Sequence, residues 1–384
     1  MKYKYITTLL IVFCMPFFTH CEGKEGTTLP PVVIPGDDDS TTQGTNLKTA
    51  PFPVGAAVSL PNLQNSTTYI EAIKREYTTI TAENAMKMGR IWKSRYSYDW
   101  TQADYIVNFA RQNNIRVHGH CLIWYKNSTN SMPAWIYALH EQGWGTKEDW
   151  KTLMKEYITT VVTRYKGKIA SWDVVNESIR DDGTERPEDI WREHIGYPDY
   201  IDWAFQCAHE ADPDAILFYN DFGYDYASAK RDKTDALIKG MLQRGIPIHG
   251  YGIQAHINLP NRSEGNFKNA ILRAAQLGVK IHISEIDIQC NPDENPALVH
   301  TDALKKKQAG LYNEVSAVMA NLPASQQWGI TQWNVADASS SMRNRPDWPY
   351  LLDLNYQPKT PAYDYFVKGF NGQYIPWSMI SINP

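Results

Sequence analysis

The chain has 384 residues, of which 43% are hydrophobic, 21% charged and 12% aromatic. That balance belongs to a soluble globular protein and suits one large domain as well as two, because α/β barrels reach this size around a single core. With 38 basic against 42 acidic side chains, and no basic run beyond Lys305-Lys306-Lys307, there is no broad positive surface for a phosphate backbone, which argues against nucleic acid as a partner.

At the start of the chain, Lys2 and Lys4 precede an apolar run from Tyr5 to Phe18 that is too short to span a bilayer. Residues 1–21 therefore read as an export signal, and the protein is expected to leave the cytoplasm. Two processing routes remain open. Cys21 sits where a lipid-carrying Cys would make a surface lipoprotein, although His20 stands where a small residue is usual, and small residues before Lys24 suit plain cleavage and secretion. Cys14 lies in the signal, while Cys121, Cys207 and Cys290 show no paired or metal-type spacing and read as buried thiols. Residues 22–50 are rich in Gly, Pro, Thr, Ser and Asp and read as a flexible tether. Composition changes at Pro51-Phe52-Pro53, and residues 51–384 read as one domain.

In that domain eight apolar runs recur, at Val54 to Val58, Thr79 to Thr81, Ile115 to Trp124, Ile169 to Val175, Ala215 to Tyr219, Ile248 to Gln254, Val279 to Ile288 and Trp328 to Trp333. Most are rich in Val and Ile and apolar on both faces, as parallel strands covered by helices must be. The second is polar enough to pass for a turn. Between the runs, stretches such as Asp149 to Tyr165, Tyr200 to Glu210 and Lys230 to Arg244 have the period of crossover helices. Eight strand-helix units specify a (β/α)8 barrel, with chemistry expected at the C-terminal ends of its strands.

Those ends are polar: Glu83-Asn84, His120, Asn176-Glu177, Asn220-Asp221, Gln254 and His256, Glu285 and Asp287, and Trp333, at steps of 31 to 57 residues. One polar group per unit places them in a ring around one mouth. Two carboxylates stand out, because Glu177 closes Trp-Asp-Val-Val-Asn-Glu and Glu285 closes Ile-His-Ile-Ser-Glu, both otherwise largely apolar strands. A lone Glu there would be costly to bury. A pair on the fourth and seventh strands would face across the mouth, which is what cleaving a glycosidic bond requires: one carboxyl protonates the leaving oxygen and the other attacks or activates water, about 5 to 5.5 Å apart for double displacement. That chemistry needs no cofactor and no metal. The 13 Trp and 23 Tyr supply rings able to stack on sugars as well as to fill a core.

The segments Trp172-Asp-Val-Val-Asn-Glu177, Ser284-Glu-Ile-Asp287, Thr81-Ala-Glu-Asn-Ala-Met-Lys87 and Gly119-His-Cys-Leu-Ile-Trp124 resemble the motifs of glycoside hydrolase family 10, in order, over essentially all of residues 51–384. Most of that family are retaining endo-β-1,4-xylanases. The resemblance implies Glu177 as general acid/base and Glu285 as nucleophile, with His256, backed by Asp287, holding Glu285 charged and oriented. It also implies that Asn176 bonds the sugar 2-hydroxyl, that Asn220 and Gln254 line the acid/base side, that Glu83, Asn84 and Lys87 grip the next sugar toward the non-reducing end, and that His120, Trp124 and Trp333 wall the cleavage subsite. The implied ligand is xylan or a xylo-oligosaccharide, bound by a monomer. Two positions depart from the family pattern: Asn334 and Ser341 stand where Gly and a Trp over the glycone are usual, with Met342 and Trp348 as substitute walls, so rejection of glucose is expected to be weaker. Tyr125 replaces a frequent His.

Two other classes fit parts of the pattern. His118-Gly119-His120, with His249, His256 and Asp337, could ligate a metal in a barrel hydrolase, but that leaves both glutamates unexplained. A glycan-binding protein without catalysis would have no need to keep the pair.

Overall fold

Eight short strands pair in parallel and close on themselves in the computed structural model, which describes residues 45–128, 130–339, 344 and 346–382. The strands are β1 Val54–Val58, β2 Thr79–Ala82, β3 Arg116–Gly119, β4 Ser171–Asn176, β5 Ile216–Phe222, β6 Gly250–Gln254, β7 Lys280–Gln289 and β8 Gln327–Gln332. Each pairs with the next, and β8 returns to β1 with Ile330 opposite Val54, so the barrel has no free edge. Between and after them run α1 Thr67–Glu76, α2 Thr101–Gln112, α3 Lys147–Tyr165, α4 Asp199–Ala211, α5 Ser228–Gln243, α6 Asn266–Ala275, α7 Asp302–Asn321 and α8 Ala362–Phe370. This is the (β/α)8 barrel expected from the alternation of patterns.

Local chemistry explains the elements. α3 begins at a capping box in which the Asp149 amide bonds Thr146 Oγ1 at 3.3 Å and the Thr146 amide bonds Asp149 Oδ2 at 2.8 Å. It then buries Trp150, Leu153, Met154, Tyr157, Ile158, Val161, Val162 and Tyr165, a stripe at three- and four-residue steps. α7 is buried through its second half because α8 packs over it, with Asn313 Nδ2 donating to the Tyr365 carbonyl at 2.9 Å.

β2 falls where the second run placed it and is fully buried despite its two threonines, which are enclosed within the parallel sheet. Two boundaries differ from the sequence reading. The third strand stops at Gly119, and Ile123–Trp124 then resumes pairing with β4, Trp124 lying opposite Asn176. The packed domain also begins before residue 51, since Leu47 in the 3-10 turn Leu47–Thr49 is fully buried in the main core. The export segment with Cys21 and the tether as far as residue 44 lie outside the described residues. Among those described, no helix is long and apolar enough to cross a membrane, and Cys121, Cys207 and Cys290 are buried free thiols.

The barrel interior is unusually polar below the mouth. His118 Nδ1 lies 2.6 Å from Ser171 Oγ, and His282 Nε2 lies 2.8 Å from Thr331 Oγ1. Burial, with His118 beside it, pushes His282 well below its ordinary value, so it is neutral. Two residues further along β4, Asp173 Oδ2 meets His118 Nε2 at 3.0 Å and His120 Nδ1 at 2.9 Å. Burial works to raise the Asp173 carboxyl, yet the two imidazoles outweigh it and hold the group well below the usual carboxylate range.

Candidate active site

Strict strand alternation would not bring both glutamates to the mouth. On β7, His282 and Ser284 point into the barrel, toward Thr331 and Asn220, so Glu285 should point out. The pairing of β7 with β8 slips by one residue between Ile283 and Ile286, a bulge that spans Ser284 and Glu285 and lets both face inward. β4 uses a similar device. Its register with β5 slips between Asp173 and Val175, which turns Asn176 inward, and Glu177 follows with φ of +57°, a left-handed conformation that is costly for a non-glycine residue. The Glu177 amide is fixed by the Asn220 carbonyl at 2.9 Å, and its own carbonyl accepts from Arg186 Nε at 2.6 Å.

The two carboxylates share a buried relay of amides. Glu177 Oε1 accepts from Asn176 Nδ2 at 3.2 Å and from Gln254 Nε2 at 3.1 Å, while Oε2 accepts from Trp124 Nε1 at 3.1 Å. Asn176 Oδ1 accepts from Gln254 Nε2 at 3.2 Å and from Asn220 Nδ2 at 2.8 Å. Asn220 Nδ2 also donates to Glu285 Oε1 at 2.9 Å, and its oxygen is held by Ser284 Oγ at 2.6 Å. Each amide orientation is thus dictated by its neighbours.

On its other oxygen Glu285 meets a cation. His256 Nε2 lies 3.1 Å from Glu285 Oε2 and its Nδ1 lies 2.6 Å from Asp287 Oδ2. Enclosure works to lower the imidazole, but Asp287 and Glu285 outweigh it, so His256 stays protonated well above its ordinary value. Behind the other wall, burial pushes Asp221 up to about 6 even though Lys230 Nζ stands 2.8 Å away. Lys230 in turn sits 3.3 Å from the centre of the Phe222 ring and packs it toward the cleft.

These groups line a cavity of about 370 Å³ walled by Lys87, His120, Trp124, Lys126, Phe222 and Trp333. Trp333 meets His120 edge-on at 5.2 Å and His256 edge-on at 6.2 Å. Lys87 and Lys126 each sit 4.9 Å from the Trp124 ring. Ten of the sequence-picked residues therefore converge: Lys87, His120, Trp124, Asn176, Glu177, Asn220, Gln254, His256, Glu285 and Trp333, with Asp287 behind them. Glu83 and Asn84 line a neighbouring cavity of about 390 Å³ with Arg90 and Gln102 instead, and Lys87 joins the two by donating to Asn84 Oδ1 at 3.1 Å.

Ser341 and Met342 lie outside the described residues, Asn334 turns its oxygen to Ser339 Oγ at 2.7 Å, and Trp348 stacks on His300 at 4.3 Å rather than lining the cleft. His118 and His120 are committed to Asp173, His249 Nδ1 accepts from the Leu217 amide at 3.1 Å, and Asp337 pairs with Lys359 at 2.9 Å, so that set forms no metal centre. Sequence reasoning passed over Arg186, whose guanidinium also covers Tyr125 at 4.1 Å, and gave no role to Ser284 although it lies in a quoted motif.

A barrel whose mouth holds two inward-turned glutamates, one bonded to an indole and one to an imidazolium, over an aromatic-walled cleft is a glycoside hydrolase. The family model for glycosyl hydrolase family 10 matches residues 45–369, and the chain belongs to that family. It is 38% identical over 318 residues to the beta-1,4-xylanase of Dictyoglomus thermophilum, covering 80% of this chain and 86% of that one. It is 36% identical over 317 residues to endo-1,4-beta-xylanase B of Paenibacillus barcinonensis, covering 80% and 92%. Among solved structures, xylanase 10B of Thermotoga petrophila in complex with xylobiose superposes with a TM-score of 0.76 at 32% identity, over 88% of this chain and all of that one.

Proposed function

We propose that this protein is a retaining endo-β-1,4-xylanase in which Glu285 is the nucleophile and Glu177 the acid/base. The observation that carries the reading is the unlike bonding of the two carboxylates within one cleft. Glu285 accepts from an imidazolium and an amide, bonds that aim it at the cleft, whereas among the described residues Glu177 accepts from the neutral donors of Trp124, Asn176 and Gln254. In the first step a Glu285 oxygen bonds the anomeric carbon as the glycosidic C–O bond breaks, and the departing oxygen takes the Glu177 proton. In the second, water gives a proton back to Glu177 while its oxygen displaces Glu285, and the sugar leaves with its β configuration restored.

The relay fits that cycle, because Asn176, Asn220 and Gln254 hold both carboxylates without needing to move. Asn176 is assigned to the sugar 2-hydroxyl, Trp124, His120 and Trp333 to the walls around the sugar at the cleavage point, and Lys87, with Asn84 and Glu83 beyond it, to the next sugar. Xylan and its oligosaccharides are the proposed substrates, since the family's named relatives are xylanases and the superposed structure holds xylobiose. Xylan digestion followed by product sizing tests this, with anomeric signals followed by NMR. A ladder from xylobiose upward with β product first is expected; a single product from one chain end, or α product first, overturns it.

The same reading has the enzyme exported and working as a monomer, since one chain supplies every group of the cleft. Processing at Cys21 with lipid attachment would tether it to a membrane surface, and plain cleavage would release it. Fractionating a bacterial host that expresses the wild type and Cys21→Ser separates the two: transfer from membrane to soluble fraction marks lipidation, and full-length protein in the cytoplasm contradicts export.

A further inference from the structure

Two connections at the C-terminal end of the barrel meet away from the cleft. The one after β3 contains the helix Ala134–Glu141, and the one after β4 contains the helix Ile190–Ile195. Their contact brings together His140, Glu193 and His194, with a ligating atom of each within 4.8 Å of the others. His140 Nδ1 lies 3.0 Å from His194 Nε2 and 3.9 Å from Glu193 Oε1. None of the three takes part in the chemistry described above.

The geometry suits an ion. Two imidazole nitrogens bound to tetrahedral zinc at about 2.0–2.1 Å stand roughly 3.3 Å apart, so the pair needs to open by only a few tenths of an ångström. Both rings are already held: His194 stacks on Trp150 at 4.0 Å and 5°, and His140 meets Tyr137 edge-on at 6.2 Å. The histidines are half-buried and Glu193 is exposed, so an ion enters from solvent without opening the fold. Two nitrogens and one carboxylate oxygen are the donors of a borderline divalent cation, whereas magnesium and calcium call for oxygen alone.

We propose that His140, Glu193 and His194 bind a divalent transition-metal ion of the zinc class, with water as fourth ligand, and that the ion clamps the connections that follow Trp124 and Glu177. The clamp is structural. It ties down the segments that leave the two sides of the acid/base while leaving the reaction itself to the glutamates.

The test uses the whole enzyme stripped of metal. Zinc is expected to raise its melting temperature in a dose-dependent way where magnesium does not, and cobalt(II) is expected to give the visible bands of a tetrahedral nitrogen and oxygen site. His140→Gln, which keeps the helix and much of the volume, and the exposed Glu193→Gln should each weaken or abolish both signals while hydrolysing xylan at the wild-type rate at moderate temperature. Zinc stabilisation undiminished in both variants, or a wild type that gives no cobalt bands and no zinc shift, overturns the proposal and leaves a hydrogen-bonded histidine pair.

Discussion

Replacing His256 by Ala removes the cation from Glu285 and leaves Asp287, whose side chain is 2% exposed, with Gln289 Nε2 at 3.0 Å as its side-chain donor among the described residues. A hydrogen bond to a charged group contributes about 1.5–3 kcal/mol, and because the His256 side chain is 33% exposed the lower half of that range applies, about 2 kcal/mol or roughly thirtyfold in a rate. The loss should not fall equally on the two steps. Glu285 loses its charge as the glycosyl-enzyme forms, so an imidazolium that stabilises the free carboxylate helps little there beyond aiming it. When Glu285 departs in the second step its charge returns, and the missing cation is felt in full. Stopped-flow hydrolysis of an activated aryl xylobioside should therefore show a burst of phenol equal to enzyme, followed by a steady state about thirtyfold below wild type. The raised imidazole also sets a stability dependence: its contribution is complete below the unfolded value of about 6.5 and is lost as pH rises through its higher folded value, so wild type and variant should converge in melting temperature on the alkaline side. An equal slowing of both steps with no burst, or a melting difference that grows with pH, would refute this role for His256.

Glu177→Ala should nearly abolish xylan cleavage yet leave the first step on an aryl glycoside with a good leaving group largely intact, and added azide should capture the intermediate as a β-glycosyl azide; equal losses on both substrates would count against the assignment. Gly252→Ala would set a Cβ 2.3 Å from Asn220 Oδ1 in a fully buried amide, so a loss of about 1–3 kcal/mol in denaturant melts and a fall in kcat are expected, and wild-type values in both would contradict the relay. Asp173→Asn removes a buried charge paired with two histidines, at an expected cost of about 3–5 kcal/mol near neutral pH. Since the folded Asp173 carboxyl is depressed, its contribution is present above the unfolded value of about 3.9 and is lost as pH falls through the lower folded value, so the gap between the two proteins should close only in strong acid.

The barrel and its two glutamates were legible because apolar runs at regular steps encode strands and helices directly, and because a Glu at the end of such a run is conspicuous. Bulges are not encoded that way. Alternation alone would point Glu285 outward once Ser284 points in, and only the slipped register of β7 against β8 and of β4 against β5, with the left-handed backbone at Glu177, brings the pair together. Thr79 and Thr81 left the second strand inconspicuous for a related reason, since a barrel interior as polar as the layer of His118, Ser171, His282 and Thr331 accepts strands with little apolar pattern. The tether reading ran past Leu47 because one buried side chain in a polar stretch leaves no periodicity to detect. Arg186 was invisible for want of any pattern, as its work is done through a single backbone carbonyl nine residues earlier.

The central claim is that Glu285 becomes covalently bonded to sugar while Glu177 moves the proton. Incubation with a 2-deoxy-2-fluoro xylobioside bearing a good leaving group slows the second step and traps the intermediate, which peptic digestion and mass spectrometry then locate. The account predicts one sugar adduct per chain, on the peptide containing Glu285, with slow return of activity as it hydrolyses. An adduct on Glu177 or elsewhere, or turnover to inverted product with no adduct, would contradict it.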